Sequence, residues 1–540
     1  MSVRWSRRRG VPAVATVDAS GGNESVVLTQ VPTGDTLVVR RVDSSANTVT
    51  VTVASGLTLN GNPSGSATVA AGSEREFLSV DAGYLTVLAT SAGGGGMVAR
   101  RVLAAGAVLG SDATLYSGAA PTITPGVSGA GPTLSGPRIM PKKSPGGTVF
   151  DTANDPAFAF VGAIPGRYLL SSADMVRPDL LTGGGGQARR NNAIIRFVHT
   201  GQSFEFYSRA PGSNISYRLW IDGKPLTATA TTITASPSDR IYTLVDFGSR
   251  GTREIGLEIA DPEFGGVVLA SAADSITRPI DAPPLLAGFG DSHTAGANGV
   301  GWNETWVRRA AMILNADFVN LGIGGSGYLK NAGAAPDYRT RLLTDIVPLA
   351  PDVLVLEGSW NDGGSTSAAV QAEAESCMSV LKANLPNTLL ISAGPVVRSH
   401  ILDTTLDGHD AAVRQAAQNQ GWHGHISFRD PAWLKASTPA WAASTVYAVG
   451  DCVLQNGFVQ RCYTAHTSTA SFDQTKFRST ALVSGTGRVG ATAGDGNADL
   501  LISSDNVHWS LEGHRVKARH IASEVLRIAR AVAAGSTWAG

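Results

Sequence analysis

The sequence predicts a multidomain protein, β-rich at the front, an antiparallel β-sandwich of jelly-roll type in the middle, and an α/β domain at the back. Three observations lead there. The chain is 540 residues long, enough for about three or four ordinary domains. Helical periodicity is scarce before position 300, where short Val-, Thr- and Leu-rich runs alternate with Gly, Asn, Asp and Ser clusters. After Pro284 the texture changes to strands alternating with helices, the pattern of a parallel sheet covered on both faces.

The bulk numbers narrow the function classes. Charged residues are 16% of the chain and the formal net charge is zero, which leaves no surplus of Lys and Arg for an extended nucleic-acid face. No long uninterrupted apolar run occurs, so no membrane span is expected. Arg4, Arg7, Arg8 and Arg9 crowd the start, but VPAVATV is short for an export signal and soon gives way to polar VDASGGNES. The arginines read as a solvated basic arm, or as one that docks onto an acidic partner. Three cysteines imply neither a disulfide scaffold nor a zinc site. Cys452 and Cys462 flank the hairpin DCVLQNGFVQRC and are either a pair or two free thiols.

In chain order, residues 1–96 form the β-rich N-terminal domain, with SVVLTQV, DTLVVRRV, NTVTVTVA, REFLSV and YLTVLA as strands. SAGGGG closes it, and residues 97–147 are too rich in Gly and Pro for a packed core, so they read as a linker or arm. Strands resume over 148–282 with AIIRFVHT, SFEFYSRA, SYRLWIDG, RIYTLVDF and REIGLEIA, spaced as in a sandwich or jelly roll. The domain at 283–540 runs LLAGFG as a strand, ETWVRRAAMILNA as a helix, then VLVLEG, AAVQAEAESCMSVLKANL, TLLISAG, DAAVRQAAQNQG and HISFRD in alternation. GHRVKARHIASEVLRIARAVAA is its last helix, and an aromatic, turn-rich insert occupies 436–497.

Chemistry gathers at the strand exits, where open parallel sheets place reactive groups. GFGDSHTAG puts Ser292 at the exit of LLAGFG and the start of a helix, where backbone N–H groups and partial positive charge favour an oxyanion. A serine hydroxyl is a weak nucleophile and needs a base held by a third group. SSDNVHWSLEGH offers Asp505 and His508 three residues apart, a spacing that folds the carboxylate onto one imidazole nitrogen and leaves the other for the serine. NLGIGGSGY offers the Gly325 N–H, and EGSWND the Asn361 amide, as donors beside the Ser292 N–H for a tetrahedral oxyanion. Each piece alone has a structural reading, Ser292 as a helix cap among them, but four pieces in order at the exits of one sheet meet the geometric criterion for an active site. His293 reads as structural or at the substrate rim, His514 as capping or packing, Asp291 as fixing its turn, and Asp362 as bracing the Asn361 loop.

These pieces, in this order, resemble the SGNH or GDSL hydrolase superfamily: GDSHT with Ser292, NLGIGGSG with Gly325, SWND with Asn361, and DNVHWSLEGH with Asp505 and His508. The resemblance covers roughly 283–435 and 498–535. It implies a flavodoxin-like three-layer α/β/α fold and a serine esterase, often a carbohydrate deacetylase, with neither metal nor other cofactor. One departure is that the usual Gly-x-Asn-Asp becomes Gly358-Ser359-Trp360-Asn361-Asp362, longer by a residue.

The insert resembles small chitin- or cellulose-binding modules through Trp441, Tyr447, Gly450, Asp451, Val453 and Tyr463, with Phe477 where a closing Trp is usual. Trp441, Tyr447 and Tyr463 are candidates for stacking on sugars, or Trp441 and Tyr447 are instead the core of a tiny β-unit. The β-rich front and Gly/Pro-rich neck resemble virion tail-fibre or minor tail proteins. That likeness implies a phage tail localisation, a homotrimer, contact with other tail proteins, and a host cell-surface glycan as the target. A non-catalytic tail structural or receptor-binding protein and a secreted bacterial carbohydrate or lipid esterase are the alternatives.

Overall fold

A computed structural model describes eight strands and one helix between residues 13 and 105, and then, with short gaps, 115–143, 155–178, 193–279, 283–396, 404–428, 439–479 and 501–539. The basic arm at Arg4 to Arg9 lies outside the described residues. The front of the chain forms a five-stranded and a three-stranded sheet. Within them, Ala13–Val17 runs parallel to Thr36–Arg41, and Thr36–Arg41 antiparallel to Glu74–Asp81.

The middle is antiparallel and hydrogen-bonded into one sheet of 12 strands. Its principal strands are β1 (Ala193–Arg209), β2 (Asn214–Ile221), β3 (Arg240–Ile259) and β4 (Glu263–Leu269). The long strands β1 and β3 pair along nearly their whole length, with a register shift between Gly201 and Ser203. Apolar side chains from β1 and β4 meet Phe158 edge-to-face, with Phe158–Phe197 centroids 5.7 Å and Phe158–Phe264 centroids 5.2 Å apart. Aromatic pairs of this geometry add to the stabilisation from buried area.

The back of the chain is a parallel five-stranded sheet. Its strands are β5 (Leu285–Gly290), β6 (Asp317–Gly322), β7 (Val353–Glu357), β8 (Leu389–Ala393) and β9 (Gly424–Ile426), in the order β6-β5-β7-β8-β9. Uninterrupted apolar runs such as VLVLE are fully buried, as expected when helices cover both faces. That order is the flavodoxin-like one, and its switch point lies between β5 and β7. Two chain ends therefore diverge there and leave a crevice at the carboxyl edge. The helices are α1 (Gly95–Ala104) from the front of the chain, then α2 (Ser292–Ala295), α3 (Trp306–Leu314), α4 (Ser367–Asn384), α5 (Thr404–Asn419) and α6 (Leu511–Ala533).

The described parts of residues 97–147, a stretch expected as a linker or arm, are instead built onto their neighbours. Val98, Ala99 and Val102 of α1 share a core with Ala518, Ala522 and Val525 of α6, and Arg101 pairs with Asp352 at 2.5 Å. Thr122–Pro125 adds to the edge of β3, and Arg138–Ile139 to β4. Glu205 accepts the Thr133 N–H at 3.0 Å, its hydroxyl at 2.7 Å and the Leu134 N–H at 3.1 Å. Gly and Pro preclude a core of their own, but segments this short need only backbone hydrogen bonds to extend an existing sheet.

The antiparallel sheet and the α/β unit meet through buried charge. Glu258 on β3 accepts from Arg308 on α3 at 2.7 Å and from Arg218 on β2 at 3.3 Å, and Arg218 also reaches Glu304 at 2.6 Å. The Arg308 guanidinium lies 4.1 Å from the centroid of the Trp220 ring. A single unpaired member of such a set would be a buried charge, so the two units are held in one relative position.

In the insert, Tyr447 is only 6% exposed and forms a core with Val453, Cys462 and Phe477. Its ring meets Phe477 edge-on at 5.4 Å, and Trp441 meets Phe472 edge-on at 5.8 Å. This corrects Tyr447 as a sugar platform: a unit this small spends its aromatics on its own core. Tyr463 lies outside the described residues. Cys462 is a buried free thiol, and the register sets Cys452 opposite Arg461.

Candidate active site

β5 ends at Gly290, and Asp291 caps the short helix α2, accepting the His293 N–H at 2.8 Å. Ser292 thus occupies the first helical position. A second strand exit delivers Gly325, whose φ of +80° is the left-handed backbone that favours glycine. The Ser292 and Gly325 N–H groups have no hydrogen-bond partner among the described residues.

His508 arrives from a turn just before α6, clamped by a bridge between Ile502 and Trp509. Its Nε2 lies 2.8 Å from Ser292 Oγ, and its Nδ1 lies 2.5 Å from Asp505 Oδ2. Asp505 Oδ1 accepts the N–H groups of Val507 at 2.9 Å and His508 at 3.0 Å, and the Ser503 hydroxyl at 2.7 Å. Partial burial opposes the Asp505 charge, but the bonds from His508, Val507 and Ser503 outweigh it and hold the carboxyl below the usual carboxylate range. An ionised aspartate beside Nδ1 fixes the ring's orientation and leaves Nε2 for the serine.

Asp291 ties this exit to that of β7. Its Oδ2 accepts the Trp360 N–H at 3.0 Å and lies 2.9 Å from Ser359 Oγ. Ser359 lies in the lengthened loop, and its Oγ accepts the Asn361 N–H at 2.9 Å. Burial, then Glu357, raises the Asp291 carboxyl to about 6 against the hydrogen bonds it receives. The Asn361 amide, expected to face an oxyanion, donates to the Ser326 carbonyl at 2.9 Å and approaches Asp291 Oδ2 at 3.3 Å. Aiming it at an oxyanion requires it to release the longer contact. Asp362 accepts three N–H groups, from Tyr328 at 2.8 Å and from Leu329 and Lys330 at 3.1 Å. It braces the loop after Gly325 rather than its own.

Below Ser292 lies a buried polar layer. Thr294 on α2 bonds Glu357 at the end of β7, and Glu357 pairs with Lys517 of α6. His293 is buried, its two ring nitrogens unpartnered, with its ring 5.1 Å from that of His508. Burial, then Lys517, holds His293 well below the ordinary histidine pKa, so it is neutral. His514 is also held neutral by burial and accepts the Trp306 N–H at 3.1 Å. It caps α3, whose own N-cap Thr305 makes no side-chain capping bond and instead accepts from the Asn320 amide at 3.1 Å.

The structure brings Ser292, Asp505, His508, Gly325 and Asn361 to one carboxyl edge. Trp441 and Tyr447 belong to the insert. Sequence reasoning missed Ser359, Ser503, Glu357 and Lys517. The signals were slight: a serine in the lengthened GSWND loop, a serine two before Asp505, and a lysine at helical spacing from His514 and Ile521. Among the described residues no His, Cys, Asp and Glu group could hold a metal ion, and no helix is long and apolar enough to cross a membrane.

Residues 289–444 match the GDSL-like lipase/acylhydrolase family. The α/β unit is a GDSL-type hydrolase domain. The matched stretch contains Ser292, Gly325 and Asn361; Asp505 and His508 of the hydrolase domain lie beyond it. Solved structures similar to the chain include an active-site mutant of a family two carbohydrate esterase from Clostridium thermocellum, 13% identical, TM-score 0.41, covering 69% of this chain and 98% of that one. A family two carbohydrate esterase from Cellvibrio japonicus is 14% identical, TM-score 0.37, covering 51% and 86%. An acetyl xylan esterase from Butyrivibrio proteoclasticus is 13% identical, TM-score 0.36, covering 51% and 87%. No curated protein matches the chain.

Proposed function

We propose that the chain is a serine esterase that removes O-acetyl or other short acyl groups from a host cell-surface polysaccharide, as part of a phage tail. The observation that carries the esterase reading is the relay Ser292 Oγ, His508 Nε2, His508 Nδ1, Asp505 Oδ2, with contacts of 2.8 and 2.5 Å. His508 Nε2 takes the hydroxyl proton as Ser292 Oγ bonds to the ester carbonyl carbon. The carbonyl oxygen becomes an oxyanion held by the N–H groups of Ser292 and Gly325 and by the Asn361 amide. His508 then gives its proton to the departing sugar oxygen as the C–O bond breaks, leaving an acyl-serine. Water attacks this with its proton passing to His508, and the acid and free Ser292 are released.

The glycan target is supported by the insert's pattern around Trp441, and the tail context, homotrimer and tail-protein contacts by the β-rich front of the chain. The test is acetate release from purified host cell-wall glycans by the whole protein and by Ser292→Ala. Release by the wild type alone is the expected outcome. Equal release by both removes Ser292 from the chemistry.

A further inference from the structure

The relay and the oxyanion donors do not say which glycan approaches them, but the cavity beside them does. An open cleft of about 440 Å³ runs from Gly325 and Asn361 past Trp360, Leu406 and Lys330. Gly363 and Gly364 form part of its wall. A Cβ added at Gly363 would come no nearer than 3.8 Å to Leu406, and one at Gly364 would meet nothing within 4 Å. Neither glycine has a positive φ. Conformation and internal packing therefore leave both unexplained, whereas close approach of a ligand accounts for them. The Trp360 backbone is pinned to Asp291 at 3.0 Å, which sets its half-buried ring beside the glycines.

Lys330 supplies the charge. Its N–H is held by Asp362 at 3.1 Å and its carbonyl accepts the Gly327 N–H at 2.9 Å, so the root of the side chain is fixed. Its ammonium has no acidic partner among the described residues, whereas Arg308, Arg309, Arg341 and Lys517 of the same domain are all paired. Three carboxylates of the site are committed elsewhere: Asp362 to three backbone N–H groups, Asp291 to the Ser359 loop, and Asp505 to His508. The cleft thus offers an apolar ring face, an open glycine wall and one uncompensated cation within reach of the acyl-transfer centre.

We infer that the cleft seats an anionic glycan. The acylated sugar or its immediate neighbour carries a carboxylate or phosphate that pairs with Lys330, while the sugar ring lies against Trp360. This rests on the esterase reading for the neighbouring centre, but its own readout is binding. The Ser292→Ala protein is titrated calorimetrically with an oligogalacturonate, a glycerol-phosphate oligomer and a neutral galactose oligomer. At least one anionic oligomer is expected to bind more tightly than the neutral one, with a preference that shrinks as salt is added. The carboxylate and phosphate arms show which anion the site takes. Adding Lys330→Ala is expected to lower the anionic-to-neutral affinity ratio about two- to fivefold, and Lys330→Arg to restore it. Equal affinity for all three oligomers, or equal loss for all in Lys330→Ala, overturns the inference. If the anionic preference holds while the wild type releases no acyl group from any ester, the esterase reading falls and the binding site stands.

Discussion

Among the described residues the hydrolase domain holds two Ser–His–Asp sets, and they sit in different surroundings. In the first, Ser292 Oγ lies 2.8 Å from His508 Nε2 and Asp505 lies 2.5 Å from Nδ1. In the second, Ser392 Oγ lies 2.8 Å from His425 Nδ1, and Asp410 lies 3.3 Å from Nε2, with Ser427 bonded to the far carboxylate oxygen at 2.8 Å. Residue types and the Ser–His distance coincide, while the ring nitrogens exchange roles, the Asp contact is longer in the second set, and the surroundings differ. The His508 and Asp505 side chains are 20% and 31% exposed, whereas Ser392, His425 and Asp410 are all buried. Ser292 stands at a helix start with two free N–H groups near it, while Ser392 lies inside β8 with its N–H and C=O in the sheet. A hydroxyl next to an imidazole becomes a nucleophile only where an ester can reach it and an oxyanion has donors. Elsewhere the same trio satisfies buried polar groups.

Kinetics and stability separate the two sets. Ser292→Ala is expected to lower kcat/KM on a chromogenic acetyl ester roughly 10⁵- to 10⁶-fold with thermal unfolding little changed. Asp505→Asn, which misorients His508, should cost roughly 10⁴-fold in the same assay. Asn361→Ala should cost roughly 100-fold, mostly in kcat, if its amide turns from Asp291 to the oxyanion. A loss confined to KM would instead leave it a ground-state contact. In the buried set the effect moves to stability. His425→Ala leaves Ser392 and Asp410 short of a partner and should destabilise by about 2 kcal/mol in urea unfolding, with activity per folded molecule retained. Loss of turnover in well-folded His425→Ala would make the second set part of the chemistry.

The smallest expected effect is in pH dependence. The Asp291 carboxyl is raised to about 6 from an ordinary 3.8, so between those values the folded chain binds more protons than the unfolded one. Its contribution to stability is complete below about 4 and is lost as pH rises through about 6. Asp291→Asn should flatten the unfolding free energy across that window. An unchanged slope would show that Asp291 is not the group that titrates there.

Much of the candidate site was legible because its parts are local. Apolar runs ending in GDS, GIGG and GSWND mark strand exits, and Asp505 reaches His508 across one short turn. At the sheet edge the order β6-β5-β7 sets Gly325 and Asn361 on either side of Ser292. The Asn361 amide was placed correctly but not aimed, since its direction depends on the Ser326 carbonyl in another loop. The insert's aromatics were legible as present, and Tyr447 was not legible as buried, because burial depends on which ring reaches Phe477.

By itself, then, the sequence determined which segments are strands and helices in the hydrolase domain and which residues stand at their exits, since periodicity and turn chemistry act over a few residues. Tertiary structure alone decided three things: that Ser292 is only half-buried beside free N–H groups while Ser392 is fully buried, that Glu258 is closed by arginines from β2 and α3, and that the Gly/Pro-rich segment extends sheets and packs on α6. Each joins residues dozens to hundreds of positions apart. Buried charges and unpaired backbone groups are satisfied by whatever the fold brings near, and local pattern carries no record of that.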